Sequence, residues 1–407
     1  MLSTFNVPHS NPKKSLMPMV FETSAPFQDF LGDVCSLGIV PGGDQATEYG
    51  VIFARSNQRY WLIPLHPKTA ALAGFALFHP VTWRASVAKA TAVLAVRVGL
   101  TPLWARTRIC LDVSSMTKGY FDVPVSHLAF FTGTDGPHRK TAIEFIGLDG
   151  KILGYAKVTR QPHIAPYIQN ESIILRRLET LCIESADVPK CLSFDDDGIR
   201  TLIVTDTLKS RLSVSPTTMT AAHFAFLHEI ARKTRREADC VTRDDLIAQL
   251  RNASTGSPAG WQTRFETGIR LLQRADIELS VALTHGDFTP WNCFMQAGRL
   301  YVFDWEYSEA SLPLGYDVMK FLTCQMASIG QKNVGDLVIL EVARLYFDGN
   351  TRQAQTHYHL ALLRHSAFYI QRAKSQGDGI ELWPEHVQFA TLIDFEVSRV
   401  DRFGAQE

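Results

Sequence analysis

Two short stretches concentrate the residues whose side chains can do chemistry. The first reads His285-Gly286-Asp287-Phe288-Thr289-Pro290-Trp291-Asn292. The second follows closely as Tyr301-Val302-Phe303-Asp304-Trp305-Glu306. Transfer of a phosphoryl group calls for a carboxylate that orients the attacking hydroxyl and for oxygen ligands that hold magnesium against the phosphates. An Asp and an Asn on one loop, with a second Asp ending a nearby strand, supply that set. The competing reading is a surface turn that happens to hold acids; the pairing of two loops with flanking apolar strands weighs against it.

These loops need elements to position them, and the chain divides into three segments by turn signals and periodicity. The first, residues 1–120, has a loose polar beginning, a strand-like run from Val51 to Leu65 and helical stretches between Thr69 and Val98. The second, residues 121–207, is strand-rich. His127 to Thr132 and Thr141 to Gly147 are β-like runs on either side of Gly133 to Pro137, and Ile152 to Val158 follows the pair Asp149-Gly150, a strong local hairpin signal. A helix is predicted from about Pro166 to Leu181, because Ile174, Leu178 and Leu181 recur at helical spacing. Cys191 to Phe194 and Ile199 to Thr205 then read as strands around an Asp-Gly turn. Three strands, one helix and two strands fit a small antiparallel sheet carrying a single helix.

The third segment, residues 208–407, is mainly helical. Ser215-Pro216 reads as an N-cap and first-turn proline before the stripe Phe224, Leu227 and Ala231, and Leu360, Leu363, Ala367 and Ile370 make another stripe.

Composition narrows the classes of function. The 407 residues carry 41 basic and 41 acidic side chains, a formal net charge of +0, so no global field draws the protein onto nucleic acid. A chain this long holds more than one core. Seven scattered cysteines without CxxC pairs read as free thiols in a reducing, cytoplasmic setting. Lys13 and Lys14 precede only a short apolar run broken by Pro18 and Glu22, which does not read as a signal peptide. The most apolar region, Ala70 to Leu103, is interrupted by charges and prolines and does not read as a membrane span. Arg84, Lys89 and Arg97 in that region suit a buried or partner-facing helix better than a membrane surface.

The two loops resemble those of the aminoglycoside phosphotransferases, choline kinases and their relatives. The resemblance covers roughly residues 121–407. It implies an α+β, bilobal, protein-kinase-like fold, with a small antiparallel-sheet lobe for nucleotide, a mainly helical catalytic lobe and here an extra N-terminal α/β segment. It implies a kinase that uses ATP or GTP with Mg2+ to phosphorylate a hydroxyl of a small molecule or saccharide. On that resemblance Asp287 is the base, and Asn292 and Asp304 bind magnesium. Lys157, in Gly154-Tyr155-Ala156-Lys157-Val158 on the third strand, meets the nucleotide phosphates, and Glu171 at the start of the following helix holds it, with Glu179 as the lesser partner. His285 packs rather than reacts. Asp317 accepts hydrogen bonds from the loop backbone.

The turn Gly133 to Lys140 takes the place of a phosphate-covering loop, although it lacks the GxGxxG pattern and reads equally as a polar hairpin. Thr205 to Leu208 fall at the link between lobes. Trp291, Trp305 and Tyr307 can stack on a sugar or surround a quaternary ammonium, although most such aromatics are core. Glu306 resembles the acidic residue of choline-type kinases. Both charge signs occur in similar numbers after Gln331, which disfavours a polycationic aminoglycoside as acceptor. Residues 1–120 are expected to select the acceptor or to form a homo-oligomer. A kinase-fold scaffold without turnover is the alternative class.

Overall fold

The computed structural model describes residues 24–43, 45–54, 58–78, 83–100, 105, 107–117, 119–133, 136, 138–210, 213–274, 276–329, 334–375 and 379–404. The chain forms two compact units, one of residues 1–165 with 192–211 and the other of residues 166–191 with 212–407.

The first unit opens with helix α1 (Ala25–Ser36), an element the sequence reading passed over as a polar beginning. It continues through β1 (Val40–Pro41), β2 (Thr47–Ala54), β3 (Arg59–Pro64), α2 (Lys68–Gly74), α3 (Trp83–Arg97) and β4 (Arg108–Asp112). The run expected from Val51 to Leu65 is therefore a hairpin rather than one strand. Next come β5 (Val125–Phe131), β6 (Thr141–Gly147) and β7 (Ile152–Thr159). At the Asp149-Gly150 turn the Lys151 N–H donates to Asp149 Oδ1 at 2.8 Å, which closes the predicted β6–β7 hairpin. After helix α4 (Ala165–Leu181) and the short β8 (Ala186–Asp187), the chain returns with β9 (Cys191–Asp196) and β10 (Thr201–Asp206).

Among the described residues these strands make one nine-stranded sheet in the order β1-β4-β2-β3-β5-β6-β7-β10-β9. The expected three strands, one helix and two strands are all present, but the first and second sequence segments do not stand apart. Strand β3 pairs antiparallel with β5 through Trp61↔Phe131 and Leu62↔Phe130.

The two sheet faces bury different chemistry. Phe27, Phe30 and Val34 of α1 pack against Phe130, Phe145, Ala156 and Val158 in the main core, with the period of two that a strand imposes. Alternate residues of β7, Tyr155 and Lys157, belong to the other face. There Ala70 and Ala73 of α2 cover Ala129, Ile146 and Ile152, and the Tyr155 hydroxyl donates to the buried Glu144 at 2.9 Å.

The second unit is mainly helical. It contains α4 from Pro166 onward, α5 (Ala221–Thr234), β11 (Arg236–Glu237), α6 (Cys240–Ser254) and α7 (Ala259–Gln273). These are followed by β12 (Ser280–Thr284), β13 (Cys293–Gln296), β14 (Arg299–Val302) and β15 (Glu309–Pro313). The unit ends with α8 (Tyr316–Ile329), α9 (Val334–Tyr346), α10 (Thr351–Ser375) and α11 (His386–Gly404). The helix expected at Ser215-Pro216 begins later. Thr220 is its N-cap, and the Thr220 N–H donates to His223 Nδ1 at 3.1 Å; Thr220 with His223 three residues on provides a local start that the preceding proline does not. The stripe Leu360, Leu363, Ala367 and Ile370 on α10 is buried as expected. No helix among the described residues is long and apolar enough to cross a membrane.

Candidate active site

Strands β12, β13 and β14 deliver both loops of interest within the second unit. The first leaves β12 at Thr284, crosses His285 to Asn292 and enters β13; the hairpin of β13 and β14, registered Cys293↔Val302, returns the chain to Phe303 and Asp304. Gly286 has φ +80°, and a Cβ on it would lie 2.0 Å from the Tyr307 carbonyl oxygen. Only glycine fits that crossing. Asp304 itself sits at φ +71°, an uncommon conformation for a residue with a side chain and one that clusters at functional sites.

The first loop is held from below by the start of α8. Asp317 accepts the backbone N–H groups of His285 at 2.7 Å and Gly286 at 3.0 Å. Burial raises its carboxyl above the ordinary value, against the opposing pull of His285 and the two N–H donors. His285 is buried and uses both ring nitrogens internally. Its Nε2 is 2.8 Å from the Phe303 carbonyl oxygen, and the Asp287 N–H donates to its Nδ1 at 3.3 Å. The ring thus ties the two loops together, with the proton on Nε2, and lies against the fully buried Trp305 at 4.6 Å between ring centres.

Asp287 is part-exposed, and its two oxygens are separately engaged. Asn292 Nδ2 donates to Oδ2 at 2.9 Å and also to the Asp287 backbone oxygen at 2.9 Å. Lys320 Nζ of α8 lies 3.2 Å from Oδ1. A carboxylate offers about four lone-pair sites, so each oxygen still has room to accept a hydroxyl proton. Lys320 was not singled out from the sequence. The signal that finds it is its place three residues after Asp317 on the same helix face, a lone cation in the apolar run Val318-Met319-Lys320-Phe321-Leu322.

The second loop meets α4. Asn170 Nδ2 donates to the carbonyl oxygens of Glu306 at 3.0 Å and Ser308 at 2.9 Å. That contact brings the neighbouring Glu171 into a group with Asp304 and Glu306, with one carboxylate oxygen of each lying within 4.8 Å of the others. Three hard oxygen donors at that separation fit a divalent cation of the magnesium or calcium kind. The structure therefore assembles Asp304 with two glutamates, whereas Asn292 turns its amide nitrogen toward Asp287. Lys157 belongs to the first unit, on β7. Of the phosphate-loop candidate, Thr134, Asp135 and Pro137 lie outside the described residues. Of the aromatics, Trp305 is core, Trp291 is exposed, and Tyr307 is half-buried between Tyr167 and Phe368.

A cysteine–histidine pair also lies close by, with Cys293 Sγ 3.6 Å from His223 Nε2. Burial pushes the thiol up to about 12 and the imidazole down to about 4. Both stay neutral near pH 7, so this pair packs the core and supplies no thiolate nucleophile.

The site thus holds an oxygen-donor cluster of Glu171, Asp304 and Glu306, and a carboxylate, Asp287, held by an amide and an ammonium. Residues 157–356, just under half of the chain, match the model of the phosphotransferase enzyme family. The resemblance read from the two loops is borne out over that stretch. Among solved structures, an amicoumacin kinase in complex with AMP-PNP, Ca2+ and Ami aligns at 15% identity over 63% of this chain and 86% of its own, with a TM-score of 0.41. The GDP complex of wild-type aminoglycoside 2'-phosphotransferase-IIIa aligns at 11% identity over 68% and 95%, with a TM-score of 0.45. An aminoglycoside phosphotransferase from Streptomyces rimosus, in complex with ADP and streptomycin, aligns at 13% identity over 55% and 90%, with a TM-score of 0.38. No curated protein matches the chain significantly.

Proposed function

We propose that this phosphotransferase moves the terminal phosphoryl group of ATP or GTP onto a hydroxyl of a small molecule or saccharide, with Asp287 as the base. The observation that carries the reading is the Asp287 carboxylate, fixed through Oδ2 by Asn292 and through Oδ1 by Lys320 on a loop whose backbone is pinned by Asp317. Such a carboxylate aligns an acceptor hydroxyl and takes its proton as the oxygen bonds to phosphorus. Its work is chiefly positioning, because the transition state is loose and early proton removal gains little.

Asp304, with Glu171 and Glu306 beside it and the Asn292 side-chain oxygen as a further donor, would hold Mg2+. Such an ion would supply the positive charge that offsets the phosphate charge during transfer. Lys157 would meet the nucleotide phosphates from β7. The test is Asp287→Asn, which keeps the size of the side chain and removes the anion. Turnover, read as acceptor-dependent nucleotide consumption, is expected to fall about 10²- to 10⁴-fold with nucleotide affinity retained. Near-normal turnover in the folded variant would refute the base, and a wild-type protein that binds nucleotide without consuming it with any acceptor would be a scaffold.

A further inference from the structure

The charges around Asp287 constrain the acceptor. Lys320 is 7% exposed, with Nζ 3.2 Å from Asp287 Oδ1 and 3.2 Å from the Tyr369 hydroxyl, over whose ring it also lies. Asp287 therefore arrives at the acceptor already paired with a cation. Glu309, the third acid after Asp287 along the chain, is taken by Arg364 of α10. Asp304 and Glu306 converge with Glu171 and are committed to the metal in the reading above. Two turns beyond Arg364 on the same helix face, Arg372 lies over the other reach of Tyr369, 6.0 Å from its ring centre, and has no carboxylate partner among the described residues. At Tyr307, where burial dominates, Arg372 acts against the carboxylates of Glu306, Asp304 and Asp287.

We infer that the acceptor is a neutral or anionic alcohol, and that Lys320 is the positioning residue that both aims Asp287 and excludes an ammonium from the neighbourhood of the reacting hydroxyl. The inference rests on Asp287 as the base. An acceptor amine close to its hydroxyl would meet a buried ammonium whose counter-charge is already used, with Arg372 adding to the repulsion. A carboxylate or phosphate there would meet the same two cations favourably. The contacting rings of Tyr307, Phe368 and Tyr369 are compatible with a polyol ring. They do not form the open, anionic cage that selects a quaternary ammonium, because the cation position over Tyr369 is filled by Lys320.

The experiment screens hydroxyl compounds in matched triplets that differ only in one group, neutral, carboxylate or ammonium, drawn from sugars, nucleosides and short amino alcohols. Acceptor-dependent nucleotide consumption is the readout. In the wild type, kcat/KM for the neutral or anionic member is expected to exceed that of the ammonium member by about tenfold or more, the scale of a like charge placed within a few ångström. Lys320→Met is expected to narrow that ratio and lower kcat while the KM for nucleotide stays unchanged, and Lys320→Arg is expected to restore the ratio. A purely structural lysine would lower all three members alike. Preferential turnover of ammonium members, no turnover of any neutral or anionic member, or a ratio unmoved in folded Lys320→Met overturns the inference. If Lys320→Met does not fold, the wild-type ratio and the Lys320→Arg ratio decide it. Asp287→Asn run beside them separates the failures: full turnover in that variant removes the base, whereas its loss together with an unmoved charge ratio removes only the role given to Lys320.

Discussion

Replacing Gly286 with alanine tests whether loop geometry, rather than loop composition, sets the rate. Gly286 has φ +80°, and its added Cβ would stand 2.0 Å from the Tyr307 carbonyl oxygen and 2.7 Å from the carbonyl carbon. The left-handed conformation alone costs an L-residue roughly 1–2 kcal/mol. The overlap is more than an ångström inside ordinary contact at roughly 3.5 Å, so either the loop or the Tyr307 segment must move by about that much. Both bear on the site, one carrying Asp287 and the other following Asp304 and Glu306. A misplacement of about 1 Å at the reacting group costs on the order of 10²-fold in rate. Gly298, in the turn between β13 and β14, is the matched control: its φ is +81° and a Cβ there meets nothing within 4 Å. Gly298→Ala should therefore show the conformational cost in a urea titration and leave turnover within about twofold. Gly286→Ala should lose further stability and about 10²-fold or more in acceptor-dependent nucleotide consumption. Equal kinetic effects from the two substitutions, or full turnover in Gly286→Ala, would refute the argument.

Asp304→Ala should abolish magnesium-dependent nucleotide binding, losing more than the ~10- to 100-fold that removal of an outer partner of a metal ligand costs; Asp317→Asn should instead lower turnover and stability with nucleotide binding retained. Isothermal titration with and without magnesium distinguishes them. In the first unit, burial raises the Asp33 carboxyl to about 6, against the pull of Thr141 and Arg160. Because the folded value lies above the unfolded one, the stability it contributes is complete below pH 3.8 and is lost as pH rises through about 6, an amount on the order of 3 kcal/mol at most. Urea midpoints of wild type and Asp33→Asn between pH 4 and pH 7.5 should show that decline in the wild type only.

The placement of the two loops was legible because it is local. Asp287, Asn292, Asp304 and Asp317 fall within one stretch of sequence, and the strand runs and the Asp149-Gly150 turn mark their own boundaries. What was not legible depends on partners distant in the chain. Glu171 read as the holder of Lys157, and its meeting with Asp304 and Glu306 follows from the Asn170 contact with the Glu306–Ser308 backbone, which no spacing announces. Lys320 looked like any lysine until its burial beside Asp287 was seen. The α1 helix was legible but passed over, since Phe27, Phe30, Leu31 and Val34 recur at helical spacing behind Pro26 in the first turn.

The seam between β3 and β5 also sets an order of assembly. During synthesis β2 and β3 can close as a hairpin early, and β4 can join β2 soon afterwards, since these are short-range pairings in the chain. The edge of β3 then stays open until Val125–Phe131 arrives, and β10 can pair with β7 only after α4 has been made. The amino-terminal strands are thus already made when the Lys157-bearing half emerges. An emerging chain stalled between Pro64 and Val125 presents a bare, apolar strand edge, the kind that invites pairing with a second chain.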